Sequence, residues 1–268
     1  MTDKANVCAV SPAPLGRGFW LGMAIFWGWL ASLVALLLAH PAQWPAPAIL
    51  LAVAGRTFLQ TGLFILGHDA MHRTLVPGRP GLNDGLGRLA LVLYAGLPYG
   101  PSRRQHLRHH RSPGSLRDPD FRFASGDGAL RWYVRFMGNY LSWKQLALLL
   151  ITWITAAALL LELDPQRAIN VVAFWVLPLV LSSFQLFLFG TYLPHRSQGS
   201  GPLPAGSHAV RSLGYSHLLS LLACYHFGYH WEHHAYPAVP WFRLPDLRRR
   251  VSLDHGPANG SRRLGLAR

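Results

Sequence analysis

An uncharged run from Phe19 to Ala39 limits this chain more than any other stretch. About 20 consecutive apolar residues is the length at which an α-helix crosses the hydrocarbon core of a bilayer, and in lipid a helix satisfies its own backbone polar groups. Three further runs repeat the constraint: Ala48 to Leu66, Gln145 to Leu163 and Ala168 to Leu193, the last with Pro178 inside it, where a kink is predicted. Composition agrees, with 51% of residues hydrophobic and 13% charged, against roughly 25% charged in soluble domains. The pattern predicts an all-α integral membrane fold, four transmembrane helices in one domain spanning residues 1–268.

On a soluble chain the net charge of +14 would suggest nucleic acid. Here the arginines flank apolar runs, where they set orientation and face anionic lipid, so no nucleic-acid partner is expected. Twelve Lys and Arg fall in residues 73–144, and the stretch after Pro194 is again basic. Such an excess marks the cytoplasmic side, and an even number of crossings brings the N-terminal segment 1–18 to the same face. Residues from about 254 to 268 read as a flexible basic tail. The first run is longer than a signal-peptide core of roughly 7–15 residues and is expected to stay attached. Between the second and third runs, Leu86 to Pro98 is apolar but too short to span, which predicts a short interfacial or re-entrant helix roofing a site at the membrane surface. Arg56 falls inside the second run, where a charge is expensive, and should face the bundle interior near Gln60 or another polar partner. Cys8 and Cys224 match no zinc or redox spacing and read as free thiols.

The histidines carry the chemistry. His68 and His72 stand at i, i+4, while His106, His109 and His110, and again His230, His233 and His234, stand at i, i+3, i+4, the spacing that puts side chains on one helical face. His226 lies one turn before His230 and is predicted on the same face. These boxes are carried by three helical ends on one side of the membrane, the arrangement of a metal centre. A tetrahedral metal takes about four ligands, so eight box histidines suggest two metals with open positions. Imidazole suits iron, copper, nickel and zinc alike, so the ligands do not choose among them. Asp69, inside the first box, is the candidate for a catalytic carboxylate, or for no more than orienting a neighbouring imidazole. His195 follows the fourth helix as it leaves the bilayer and is a further candidate ligand, whereas His40, His208, His217 and His255 lack such company. Aromatic content near the boxes names Tyr94, Phe184, Phe187, Phe227 and Trp231 as candidate substrate-lining residues. A histidine-rich metal transporter would instead spread ionisable ligands along its spans.

Several strings carry a resemblance: His68-Asp-Ala-Met-His72, Val76-Pro-Gly-Arg-Pro80, Asp118-Pro-Asp-Phe121, Arg131-Trp-Tyr133, Phe189 to Arg196, and the third box running on to Pro240-Trp241. Over about Arg56 to Pro245 the chain resembles the bacterial β-carotene ketolases of the membrane fatty-acid-desaturase superfamily. The resemblance implies a non-haem di-iron oxygenase of the bacterial inner membrane. It would take a carotenoid from the bilayer and oxidise the C4 methylene of its β-ionone rings to a ketone, with dioxygen and electrons from a donor such as ferredoxin. It also implies an extra metal-binding histidine in the string that holds His195. Arg73 departs from the family, which the resemblance associates with a small residue there. A carotenoid hydroxylase, fatty-acyl desaturase or alkane hydroxylase would share the boxes.

Overall fold

The computed structural model describes residues 15–115, 117–121, 128–196 and 210–255; Cys8, His208 and the basic tail past 255 lie outside them. The chain runs through α1 (Arg17–Leu38), α2 (Ala46–Met71), α3 (Pro80–Ala95), α4 (Tyr99–Arg111), α5 (Ala129–Tyr140), α6 (Trp143–Leu163) and α7 (Pro165–His195). It finishes with α8 (His217–Cys224), α9 (His230–Ala235) and α10 (Leu244–His255), with no strand among the described residues. α1, α2, α6 and α7 are the four helices long and apolar enough to cross a membrane. Their outer faces expose Trp20, Trp27, Leu51, Ile151 and Ile154, a surface suited to hydrocarbon rather than water.

α2 is the axis of the bundle. Its contact with α3 is close because small residues face large ones. A Cβ on Gly67 would come within 2.5 Å of Leu91, and one on Gly87 would come within 2.5 Å of Ala70. The expected short helix over Leu86 to Pro98 is therefore corrected: α3 begins earlier, with Pro80 at its first position where no N–H partner is needed, and packs along α2 with Asn83, Ala90, Leu91 and Tyr94 buried.

Pro178 does not simply kink α7. The helix widens into a π-turn over Val172–Val176 just before Pro178, and into a second over Leu188–Tyr192 just before Pro194. A proline has no N–H for the carbonyl four residues earlier, and a wider turn relieves the clash. For Pro178 that carbonyl belongs to Phe174, and Arg56 Nε donates to it at 3.0 Å. The same guanidinium donates through Nη1 to Trp29 O at 2.7 Å and Ser32 Oγ at 3.0 Å, and lies over the Trp29 ring. Arg56 thus faces the interior as expected. Gln60 instead accepts from Trp29 Nε1 at 2.6 Å and donates to Tyr94 O at 2.7 Å.

Candidate metal centre

Nine histidines converge in two adjoining groups. His68, His72, His106, His110 and His233 form one, and His109, His195, His230 and His234 the other; within each, the ligand atoms lie within 4.8 Å of one another. All eight box histidines and His195 are therefore brought together. Rings of the two groups touch, His110 stacking on His234 with centroids 4.2 Å apart.

Each box is held by bonds that helix ends leave open. At the C-terminus of α2, Ala70 O accepts from Asn83 Nδ2 and from the Tyr99 hydroxyl, both at 2.8 Å, and Met71 O accepts from Arg103 Nε at 2.9 Å. The first box is thereby tied to α3 and to the helix that carries the second. Arg73 follows with φ 64°, the left-handed conformation that favours a small residue, and its Nη2 pairs with Asp84 at 3.1 Å. The departure from the family pattern is compensated locally.

Behind the second box, His109 Nδ1 donates to Asp118 Oδ1 at 2.8 Å. Asp118 also accepts from Gly114 N at 2.7 Å and Asp120 N at 2.9 Å. These bonds account for the proximity of His109, Asp118 and Asp120 without an ion. α5 closes over the same loop: Trp132 Nε1 donates to Asp120 O at 2.8 Å, Asn139 Nδ2 to Pro119 O at 2.7 Å, and the Tyr140 hydroxyl to Asp120 Oδ1 at 2.7 Å.

The third box departs most from the sequence reading. α8 stops at Cys224, Tyr225 and His226 take φ of 46° and 65°, and a new helix starts at His230. The predicted common helical face for His226 is corrected, because two successive left-handed residues turn the chain between it and the box. His226 belongs to neither group. It stacks on Tyr229 at an interplanar angle of 7° and lies beside His217, centroids 4.8 Å apart. α9 is only six residues long, too short to persist alone. Buried Glu232 anchors it, accepting from Arg248 Nη1 at 2.8 Å and from Ser212 Oγ, while Ser212 Oγ accepts from Trp231 N at 3.1 Å.

The donor set fits a metal. Six ring contacts join Nε2 to Nε2 at 2.7–3.2 Å. His109 commits its Nδ1–H to Asp118, so its Nε2 lone pair faces His234. Facing lone pairs repel unless a cation lies between them, and two nitrogens about 2.1 Å from one ion, at right angles, are about 3.0 Å apart. Burial lowers the pKa of His72 to about 4, helped by Arg103, and that of His110 to about 2, helped by His72 and His109. His106, His230, His233 and His234 fall well below the ordinary value, first through burial and then through neighbouring rings. The rings are neutral, as ligation requires. For His109 burial acts downward, but the Asp118 hydrogen bond and the charges of Asp120 and Asp118 outweigh it and raise the pKa.

A cavity of about 280 Å³ opens onto these rings, running from His68, His106, His109 and His230 to Leu149 and Trp153 on α6. Of the five aromatics expected to line it, Tyr94 and Phe227 do, Phe227 packing edge-on against His68 at 4.5 Å. The other three are corrected. Phe184 is 48% exposed on the outer side of α7, Phe187 is buried among Trp132, Tyr133 and Phe136 behind the wall, and Trp231 also stands outside it. Asp69 is likewise outside the wall: its carboxylate accepts from Trp241 N at 3.3 Å and lies 3.5 Å from His68 Nδ1. Its position suits orienting His68 rather than touching a substrate. Asp118 and Glu232, which sequence reasoning missed as site residues, bind partners no spacing rule connects to them; only the Asp118-Pro-Asp-Phe121 string hinted at the first.

A helical bundle with four membrane-length helices and a histidine-built metal centre at the end of an apolar cavity defines the class. The profile of the fatty acid desaturase family matches residues 42–144 and 139–260. The chain is 45% identical over 231 residues to the β-carotene ketolase of Paracoccus sp. (strain PC1), covering 86% of this chain and 88% of that one. It is 44% identical over 251 residues to the β-carotene ketolase of Paracoccus sp. (strain N81106 / MBIC 01143), covering 91% and 95%. With β-carotene 4-ketolase 3 of Haematococcus lacustris it shares 41% identity over 198 residues, covering 72% and 59%. The chain belongs to the fatty acid desaturase family, in its β-carotene ketolase branch.

Proposed function

We propose that the chain is a β-carotene ketolase, a single-domain membrane oxygenase that converts the C4 methylene of β-ionone rings to a ketone, giving echinenone and canthaxanthin, and astaxanthin from zeaxanthin. The observation that carries the reading is the apolar cavity ending on nine convergent imidazoles in a chain so similar to ketolases. Two iron ions, which the two histidine groups would hold one each, would supply the activation of dioxygen that oxidation of a carbon–hydrogen bond needs. The chain's own part is to hold and exclude. Leu149, Leu179 and Leu186 offer a ring only hydrocarbon contact and keep water away from it, while Phe227 and Tyr94 flank the histidine end. Asp118 fixes His109 with Nε2 inward, and Asp69 lies 3.5 Å from His68 Nδ1 without a hydrogen bond to it. Each of two hydroxylations at one carbon uses one dioxygen, two electrons and two protons and releases water; the resulting geminal diol loses water to give the ketone. A ferredoxin-type donor supplies the electrons.

The same reading puts the chain in the bacterial inner membrane with both termini and the metal centre cytoplasmic, supported by the four long apolar helices and the arginine-rich stretches after α2 and α7. A topology reporter fused after Arg250 and active only outside the cytoplasm would contradict that placement. Expression in a bacterial host that makes β-carotene, followed by chromatography and mass spectrometry of the pigments, tests the activity. Conjugated ring ketones are expected. Unchanged β-carotene despite good expression and an active donor refutes the reading, and a hydroxyl-only product points to a hydroxylase.

A further inference from the structure

α4 has two faces of different chemistry. His106, His109 and His110 turn inward to the clustered rings, while Arg104, Arg108 and Arg111, at i, i+4, i+7, share the opposite face and are exposed. Other arginines around the boxes have partners: Arg73 pairs with Asp84 at 3.1 Å, Arg103 Nε donates to Met71 O at 2.9 Å, and Arg248 pairs with Glu232 at 2.8 Å. The three on the outer face of α4 pair with no carboxylate among the described residues. Like charges one helical turn apart repel, so this stripe favours an anionic partner. It faces water rather than lipid. A helix that lies in a membrane surface flanks its basic residues with apolar ones. Between Val92 and Leu130, however, no large apolar side chain is exposed among the described residues.

Building on the ketolase reading, we propose that the Arg104, Arg108 and Arg111 face of α4 is where the electron donor docks, a small protein that presents carboxylates around its redox centre. Guanidinium groups match carboxylates in charge and in fork geometry. The position suits electron transfer. His106 and His110 belong to one histidine group and His109 to the other, so the helix under the stripe supplies ligands to both. A donor seated on the stripe is separated from them by the thickness of one helix, about 10–12 Å. Each docked donor is oxidised by one electron, so two encounters, with two protons from water, serve each hydroxylation. Association steered by charge and weakened by salt suits a partner that must leave after each electron.

The test uses the purified full chain, loaded with iron, in nanodiscs of neutral phosphatidylcholine, with an acidic two-iron ferredoxin as the probe. Titration of oxidised ferredoxin reads binding, and reduced ferredoxin drives turnover of β-carotene. Arg104→Gln/Arg108→Gln/Arg111→Gln should weaken binding and raise KM for ferredoxin by about tenfold or more, with iron content retained. Wild-type binding should also weaken with added salt more steeply than the variant's. Arg108→Gln alone should move both the same way by less, and it decides the matter if the triple variant fails to fold. Protein reduced with dithionite, freed of excess and exposed to dioxygen bypasses the donor, so wild type and variant should form equal amounts of 4-hydroxylated β-carotene in one turnover. Equal ferredoxin affinity in the two overturns the inference, as does an unequal yield in that single turnover. A difference in binding that appears only in discs of anionic lipid assigns the stripe to headgroups and overturns it too. Wild-type protein that oxidises no β-carotene in the single turnover overturns the ketolase reading, while the ferredoxin titration, which needs no substrate, still decides the docking face.

Discussion

Asp118→Asn separates orientation of a ligand from supply of one. Asp118 does not itself line the cavity, yet its carboxylate accepts from His109 Nδ1 at 2.8 Å, Gly114 N at 2.7 Å and Asp120 N at 2.9 Å. An asparagine of the same shape keeps one accepting oxygen and offers an NH2 group in place of the other. If that NH2 faces His109, the ring must present Nδ1 as acceptor, and its proton moves to Nε2, the atom that faces His234 at 3.1 Å. The second histidine group then loses one of four ligands. Loss of such an orienting partner weakens metal binding by about 10–100-fold, or about 1.4–2.7 kcal/mol. A donor left unpaired in the loop lowers stability by a further ~1–3 kcal/mol. Metal retained after dialysis against graded chelator, counted per chain by mass spectrometry, should fall from two ions toward one while the first group stays loaded. Two ions held as tightly as in the wild type would refute the reasoning.

Three other substitutions or conditions are informative. His195→Ala should lower bound iron and ketone formation, whereas His226→Ala, outside both groups, should leave iron content close to wild type; equal iron loss in the two would mean that His226 reaches the metals after all. Arg73→Gly relieves about 1 kcal/mol of left-handed strain and gives up an exposed ion pair worth about 0.5 kcal/mol, so stability by thermal unfolding should stay within about 1 kcal/mol; a large loss would contradict the local compensation. In metal-free protein, His72 stays neutral down to about pH 4 while the unfolded chain takes up its proton near 6.5. Its contribution to stability is complete above about pH 6.5 and is lost as the pH falls through about 4, by about 3 kcal/mol for this ring. Unfolding midpoints that did not fall with pH across that window would contradict the burial.

The four long helices were legible because a run such as Phe19 to Ala39 has one solution in lipid, and the structure places α1 over Arg17–Leu38. The box histidines were legible because i, i+3, i+4 is a local geometry. His226 failed for the same reason in reverse: the spacing presumed one helix, and two left-handed residues interrupt it. Pro178 predicts that α7 departs from regularity but not that a π-turn absorbs it, with Arg56, far away in sequence, donating to the carbonyl of Phe174. Glu232 with Arg248 and Asp118 with His109 are set by how loops fold back on helices, and no periodicity records that. The cavity wall was half legible, because aromatic content near a box cannot tell the inner face of α7, which holds Leu179 and Leu186, from the outer face that exposes Phe184.

The central claim is that ring ketone formation occurs at two metal ions held by nine histidines. It is tested most directly by measuring iron per chain and ketone formed from β-carotene in the same purified sample, as metal-free protein is titrated with ferrous iron under air with an electron donor. The account predicts no ketone without metal, and full activity only as occupancy reaches two ions per chain. Full activity in chelated protein, saturation at one ion, or a product without a ring carbonyl would contradict it.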